Sequence, residues 1–116
     1  MLARVLKRVS QARLIDETIV ATTGDAIDDA IEQFCQERGV ACYRGSLYDV
    51  LDRFYQAAKL TEADVIIRIT ADCPMIDPAE IDRVIQAFLD NKADFAANRL
   101  PPPFERTTPI GMDTEV

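Results

Sequence analysis

The sequence predicts an α/β fold with a mostly parallel sheet and helices on both faces. Segments with helical periodicity alternate with short runs of β-branched and apolar residues along most of the chain. The connections between these runs are too long for hairpins, and the runs are continuously apolar, which is typical of buried parallel strands. The length of 116 residues suits one domain with one core. We therefore expect a single domain over residues 1–116.

The first third of the chain predicts two helices with a strand between them. Residues 2–12 carry apolar side chains at the i, i+3, i+4, i+7 spacing of an amphipathic helix. This basic segment also resembles a transit peptide, but it runs straight into a strand over 17–22, which favours the helix. Asp25 and Gly39 suit the two ends of a second helix over 26–38. Its predicted inward stripe is Ile27, Ala30, Ile31, Phe34 and Cys35.

The middle of the chain predicts two strands on either side of a third helix. Residues 40–43 form a brief strand, and a helix runs from Ser46 to about Ala58. Residues 64–70 are rich in β-branched side chains and give the strongest strand pattern of the sequence. The side chains that we expect to face inward on the third helix are Leu47, Val50, Leu51 and Phe54.

A fourth helix has the clearest start signal in the chain. Asp77 is a good capping residue, Pro78 suits the first helical position, and Glu80 lies in the first turn. Residues 94–97 predict one more short strand, and the chain is irregular after Asn98. The apolar stripe predicted for the fourth helix is Ile81, Val84, Ile85, Phe88 and Leu89.

Composition excludes several classes of function. The net charge of −7 argues against a nucleic-acid partner. The chain has no histidine, so Ser-His-Asp and Cys-His nucleophiles and imidazole metal ligands are excluded. Three cysteines without CxxC spacing indicate a reduced, cytoplasmic protein. No segment approaches the ~20 apolar residues of a membrane span, and the sequence holds neither a GxGxxG motif nor a P-loop.

Two acidic residues are candidate catalytic metal ligands. Ligands bind beyond the carboxyl ends of parallel strands, and Asp72 follows the 64–70 strand directly. A carboxylate there suits Mg²⁺ that bridges to phosphate oxygens, although an acid before Pro74 could equally cap a turn. Asp113 is a candidate second ligand only together with Asp72, because on its own it is better explained as a solvated acid. We expect the two carboxylates to converge, with Asp72 accessible to solvent beside a concave surface.

A second candidate region contains Arg44, Gly45, Ser46, Asp49 and Arg53. Ser46 and Asp49 have the spacing of a capping box, and Asp49 and Arg53 that of an i, i+4 ion pair. Structural roles account for both pairs. The glycine, the start of the helix and the neighbouring Arg44 would also favour an anion.

Two residues near Asp72 have open roles. Arg68 is a charge within an apolar strand and needs an acid or a phosphate as its partner. A structural ion pair and a ligand contact are both compatible with the sequence. Cys73 has no neighbouring base and is interpreted as a packing residue.

Several ordered motifs resemble the cytidylyltransferase family of acylneuraminate and 3-deoxy-manno-octulosonate cytidylyltransferases, in particular the spore coat polysaccharide biosynthesis branch. The match covers essentially the whole chain, and the segments at 44–54 and 68–78 are the most specific. The motifs are Arg4-Val5-Leu6-x-Arg8-Val9, Val20-Ala21-Thr22-Thr23, Asp28-Asp29, Arg44-Gly45-Ser46-x-x-Asp49-Val50-Leu51-Asp52-Arg53-Phe54, Arg68-Ile69-Thr70-Ala71-Asp72-Cys73-Pro74-x-Ile76-Asp77-Pro78, Asn98 and Gly111-Met112-Asp113-x-Glu115-Val116.

The resemblance implies an incomplete nucleotide-diphospho-sugar transferase fold, a three-layer α/β/α sandwich. It further implies CTP and a sugar or sugar acid as substrates, Mg²⁺ as cofactor, CMP transfer and release of pyrophosphate. Asp72 and Asp113 then resemble the metal ligands. The segment 44–53, with Arg44, Ser46, Asp49 and Arg53, approaches the nucleotide together with Arg68, and Asn98 approaches the sugar.

The family begins with a strand and a basic, glycine-containing loop that this sequence lacks before Met1. We therefore expect the chain as given to bind CTP weakly and to be inactive. Strands left without that neighbour would be open to a second copy, so a homo-oligomer stays open. Two alternative functions also stay open: a glycosyltransferase of related fold, and a non-catalytic remnant or assembly module.

Overall fold

The computed structural model describes residues 1–98 and 114–116 and divides the chain into two compact units. Unit 1 comprises Met1–Asp16 and Val65–Val116, and unit 2 comprises Glu17–Asp64. No helix in the described part of the chain is long and apolar enough to cross a membrane. In chain order the elements are α1 (Leu2–Val9), β1 (Ile19–Thr23), a 3₁₀ turn (Ala26–Asp28), α2 (Asp29–Arg38), β2 (Ala41–Gly45), α3 (Val50–Leu60) and α4 (Pro78–Asn91).

Unit 1 is built on the packing of α1 against α4. The predicted helix 2–12 is present but ends at Val9. The start of α4 is confirmed: Asp77 caps it by accepting a hydrogen bond of 2.9 Å from the Ala79 N–H, and Pro78 occupies the first turn. The buried core of unit 1 comprises Val5, Val9, Cys73, Ile76, Ile81 and Ile85.

Unit 2 contains a parallel pair of strands. β1 and β2 pair in register from Ile19 with Ala41 to Thr23 with Gly45, which confirms the parallel arrangement. α2 and α3 both pack on these strands. α2 ends at Gly39, whose φ of +64° is the left-handed conformation that glycine adopts most easily.

Two predicted strands are absent as regular ladders. Residues 64–70 make one isolated antiparallel bridge, between Arg68 and Glu115, and 94–97 make one between Ala97 and Glu115. A β-branched run becomes a strand only where a partner offers a row of N–H and C=O groups. Within the described residues, that partner is the short segment 114–116.

Six side chains predicted to face inward are exposed instead: Ile27, Ala30, Leu47, Val50, Leu51 and Leu89. Ile27 is 87% exposed because residues 26–28 form a tighter 3₁₀ turn, which shifts the face that each side chain occupies. Leu51 is 81% exposed because the third helix begins at Val50, later than predicted, so that its buried face is displaced. Leu89 is 48% exposed near the end of α4.

Candidate functional site

Asp72 lies on a tight turn that the core of unit 1 anchors. The Cys73 N–H donates to the Thr70 carbonyl at 3.2 Å, and the Ile76 N–H donates to the Cys73 carbonyl at 3.1 Å. Cys73 and Ile76 are both buried, with 4% and 0% of their surface exposed. Asp72 itself is exposed, as predicted. The fold therefore holds both sides of this residue while its carboxylate faces solvent.

The surroundings of Asp72 keep its carboxyl group ionised. The Thr70 hydroxyl lowers the pKa of Asp72 most, and the backbone N–H of Asp72 adds to the effect. The Cys73 Sγ also donates to Asp72 Oδ1, at 3.8 Å. Mg²⁺ prefers hard oxygen ligands and is usually bound by one or two protein carboxylates, and an exposed, ionised carboxylate is such a ligand. Asp72 therefore fits a magnesium site.

The structure also limits the kind of metal site that is available. Among residues 1–98 and 114–116, no three His, Cys, Asp or Glu side chains are grouped closely enough to hold an ion. A site at Asp72 would thus use few protein ligands and leave most positions to water or phosphate, as magnesium sites often do. Asp113 lies outside the described residues, and its convergence with Asp72 stays a prediction.

Asn98 holds the residue that follows Asp113. The Thr114 N–H donates to Asn98 Oδ1 at 3.0 Å, and the Asn98 N–H donates to the Thr114 carbonyl at 3.3 Å. Thr114 is fully buried. This candidate sugar contact therefore has a structural role in unit 1.

Arg68 has an acid as its partner. Its Nη1 lies 2.6 Å from Glu115 Oε2, and both side chains are partly exposed. Of the two roles that the sequence left open, the structure shows the ion pair.

Arg44 is surrounded by acceptors of unit 2. Its guanidinium pairs with Asp29 at 2.7 Å and Glu32 at 2.8 Å, and it donates to the carbonyls of Thr23 and Asp25. Hydrogen bonds from Asp29 and then Glu32 raise the pKa of Arg44. This candidate nucleotide contact ties β2 to α2 and to the loop after β1.

The segment after β2 forms a turn before its helix begins. Ser46 Oγ accepts from the N–H groups of Tyr48 and Asp49, at 3.2 and 3.0 Å. Asp49 is the helix cap and accepts from the Asp52 N–H at 2.8 Å. The predicted capping role thus passes from Ser46 to Asp49, because Ser46 closes a separate turn first.

Arg53 does not form the predicted pair with Asp49. Its Nη1 donates to the Ser46 carbonyl at 3.1 Å, and the ion pairs of the described residues include none between Asp49 and Arg53. The cap bond of Asp49 keeps that carboxylate on the helix start instead. The Arg53 Nε is buried without a hydrogen-bond partner among the described residues, which is unusual for a donor of this kind.

The sequence places Asp28 only in the Asp28-Asp29 motif, next to the start of the second helix, and does not predict its contacts. One of its oxygens, Oδ2, accepts from both Thr22 Oγ1 at 2.8 Å and Thr23 Oγ1 at 2.5 Å, and from the Thr23 N–H at 3.1 Å. The Thr23 hydroxyl lowers the pKa of Asp28 most, followed by the Thr22 hydroxyl. The sequence feature that could have indicated these contacts is a pair of adjacent threonines at the carboxyl end of a predicted strand, followed within a few residues by acids.

Comparison with known proteins places these features in a family. Residues 1–112 match the family model described as Cytidylyltransferase. The chain is 39% identical over 101 residues to the spore coat polysaccharide biosynthesis protein SpsF of Bacillus subtilis, covering 87% of this chain and 39% of that protein. It is 34% identical over 92 residues to the 3-deoxy-manno-octulosonate cytidylyltransferase of Trichlorobacter lovleyi, covering 78% of this chain and 35% of that enzyme.

A solved structure matches the fold. The structure of a cytidylyltransferase from Leptospira borgpetersenii superposes with a TM-score of 0.85 at 35% identity, covering 98% of this chain and 47% of that chain. This similarity confirms the mixed α/β architecture with its parallel strands. The chain thus spans less than half the length of these relatives. On both its sequence and its structure, the chain belongs to the cytidylyltransferase family.

Proposed function

We propose that this chain supplies part of the active site of a nucleotidyltransferase that transfers CMP from CTP to a sugar or sugar acid. The observation that carries the proposal is the exposed, ionised carboxylate of Asp72 on a turn anchored in the core. The relative from Trichlorobacter lovleyi is named for activity on 3-deoxy-manno-octulosonate, and SpsF is named for spore coat polysaccharide biosynthesis. The first name favours a sugar acid as the substrate, and the second favours a polysaccharide as the destination.

The chemistry is an in-line displacement at phosphorus. A sugar hydroxyl attacks the α-phosphorus of CTP, the bond to the pyrophosphate oxygen breaks, and pyrophosphate leaves. When bound, Mg²⁺ would offset charge on the phosphate oxygens. Asp72 would hold it, and we propose Asp113 as the second ligand. Positioning and charge neutralisation dominate such transfers, so the absence of histidine from the chain is no obstacle.

The substrate contacts divide into two groups. We propose Ser46, Asp49 and Arg53 as the nucleotide contacts, because they lie on one segment and Arg53 is partly exposed. Arg44, Arg68 and Asn98 already have partners in the protein, so we expect them first to support the site. We also propose that the whole enzyme has the three-layer α/β/α sandwich fold and is located in the cytoplasm.

We expect the isolated chain to bind CTP weakly and to show little turnover. Triphosphates are usually bound by several backbone N–H groups on a glycine-rich turn together with cations. This chain covers 39% of SpsF and 35% of the relative from Trichlorobacter lovleyi, so such a turn would have to come from residues outside this sequence. Loss of positioning can reduce a rate by orders of magnitude.

A titration with Mn²⁺ tests the proposal, because it can detect metal binding even when CTP binds weakly. Mn²⁺ would be titrated into the 116-residue chain with and without CTP, and binding followed by water-proton relaxation. We expect Asp72→Asn to weaken CTP-dependent Mn²⁺ binding at least tenfold. Asp94→Asn removes the same charge from another exposed acid of unit 1 and should leave binding unchanged.

Equal binding by the wild type and Asp72→Asn would contradict the proposal. Stronger enhancement by a nucleotide-sugar than by CTP would favour the glycosyltransferase alternative.

A further inference from the structure

We propose that Thr70 and Cys73 are positioning residues that hold the Asp72 carboxylate in one orientation toward its ligand. The inference rests on the proposed function only in that Asp72 is taken as the metal ligand. The three side chains lie on one turn, and the contacts between them are short-range, so the arrangement is fixed by local geometry.

The side chains form a chain of contacts that ends at the carboxylate. Thr70 Oγ1 lies 3.1 Å from Cys73 Sγ, and Cys73 Sγ lies 3.8 Å from Asp72 Oδ1. An ionised carboxylate only accepts hydrogen bonds. The Cys73 thiol therefore donates to Asp72, and the Thr70 hydroxyl contacts the thiol and also stabilises the ionised carboxylate.

The middle residue of this series of contacts, Cys73, is fixed by packing. Cys73 is 4% exposed and belongs to the core of unit 1 with Ile76, Ile81 and Ile85. The backbone before it is held as well, because Ile67 and Ile69 pack against the same core. A carboxylate that touches such a thiol cannot rotate as freely as an ordinary exposed aspartate.

Such support matters for a site with few protein ligands. A metal ligand that is already oriented loses less rotamer entropy when it binds, and residues that orient ligands typically change metal affinity by about 10- to 100-fold. Cys73 therefore orients the Asp72 carboxylate in addition to packing in the core. Thr70 has the same orienting role, which the sequence did not indicate.

The test uses two substitutions at one position. Thr70→Val removes the hydroxyl and keeps the branched shape, whereas Thr70→Ser keeps the hydroxyl. We expect Thr70→Val to weaken Mn²⁺ binding by about tenfold and Thr70→Ser to remain within about twofold of the wild type. Thermal unfolding of each variant would show that the comparison is made on folded protein.

A second readout follows the orientation without metal. Hα–Hβ couplings of Asp72, measured by NMR, should indicate one χ1 rotamer in the wild type and in Thr70→Ser. Rotamer averaging is expected in Thr70→Val and in Cys73→Ala.

The outcomes separate the two proposals. Wild-type couplings and wild-type Mn²⁺ affinity in Thr70→Val would overturn the positioning role. Altered couplings in Thr70→Val, together with Mn²⁺ binding that Asp72→Asn does not change, would support the positioning role and overturn the metal assignment of Asp72.

Discussion

Arg68 and Glu115 are joined twice, once through their backbones and once through their side chains. The Arg68 N–H donates to the Glu115 carbonyl at 2.7 Å, and the Glu115 N–H donates to the Arg68 carbonyl at 3.2 Å. The ion pair spans 2.6 Å. A substitution that keeps both backbone N–H groups leaves the backbone pair available, so the contribution of the charges can be measured separately.

Glu115→Gln should destabilise the protein by no more than about 1 kcal/mol. The two side chains remain 41% and 29% exposed, and pairs of this kind typically contribute about 0.2–1 kcal/mol. Urea unfolding at low and high salt would measure the effect, which should shrink at high salt. A loss above about 3 kcal/mol would show that the pair behaves as a buried one.

Ile81→Ala should destabilise unit 1 by about 2–5 kcal/mol, because Ile81 is fully buried in the core and the substitution leaves a cavity. Leu89→Ala on the same helix is the matched control. That side chain is 48% exposed, and we expect a loss of less than about 1.5 kcal/mol. Urea denaturation followed by circular dichroism would measure both. Similar losses would contradict the assignment of the buried face.

Asp28→Asn should make stability less dependent on pH. Hydrogen bonds from Thr23 and Thr22 depress the pKa of Asp28 in the folded protein. A depressed carboxyl pKa stabilises the fold above the unfolded value of about 3.9, and the contribution disappears as pH falls through the folded value. The difference in unfolding free energy between wild type and variant should therefore be largest near pH 7 and shrink below about pH 4. A constant difference over that range would contradict this prediction.

Cys42 should resist alkylation in the folded protein. Burial, and then the neighbouring Cys35, raise the pKa of Cys42 to about 11. Since the thiolate is the nucleophile, iodoacetamide at pH 8 should modify Cys42 more than tenfold more slowly in the folded chain than in urea. Peptide mass spectrometry would follow the site, and its rate should still be rising between pH 9 and 10. A plateau near pH 9 would indicate an ordinary thiol.

Local signals predicted two helix ends correctly, the start of α4 and the end of α2. The Asp77-Pro78 start and the Gly39 end are decided by groups within a few residues, namely cap hydrogen bonds and backbone conformation. The parallel pairing of β1 and β2 also followed from pattern, because two short apolar runs separated by a helix can rarely pair otherwise.

Signals that depend on distant partners were less informative. The run 64–70 has strand composition, yet it needed the segment 114–116 as its neighbour and forms only a bridge with it. The pairs of Arg68 with Glu115 and of Arg44 with Asp29 join residues whose proximity no spacing encodes. At the candidate site, Asp72 was identified from its place after an apolar run. The support from Thr70 and Cys73 depends on side-chain geometry within the turn.

The two units differ in when they can fold during synthesis. Unit 2 is one continuous stretch, Glu17–Asp64, whereas unit 1 needs residues from both sides of it. The strands β1 and β2 can therefore pair once their own segment has left the ribosome, because the crossover between them, residues 24–40, lies within the same unit. The bridge from Arg68 to Glu115 spans a separation of 47 residues and must form late. The segment that leads into the turn of Asp72 can therefore acquire this bridge only after the whole of unit 2 has been synthesised.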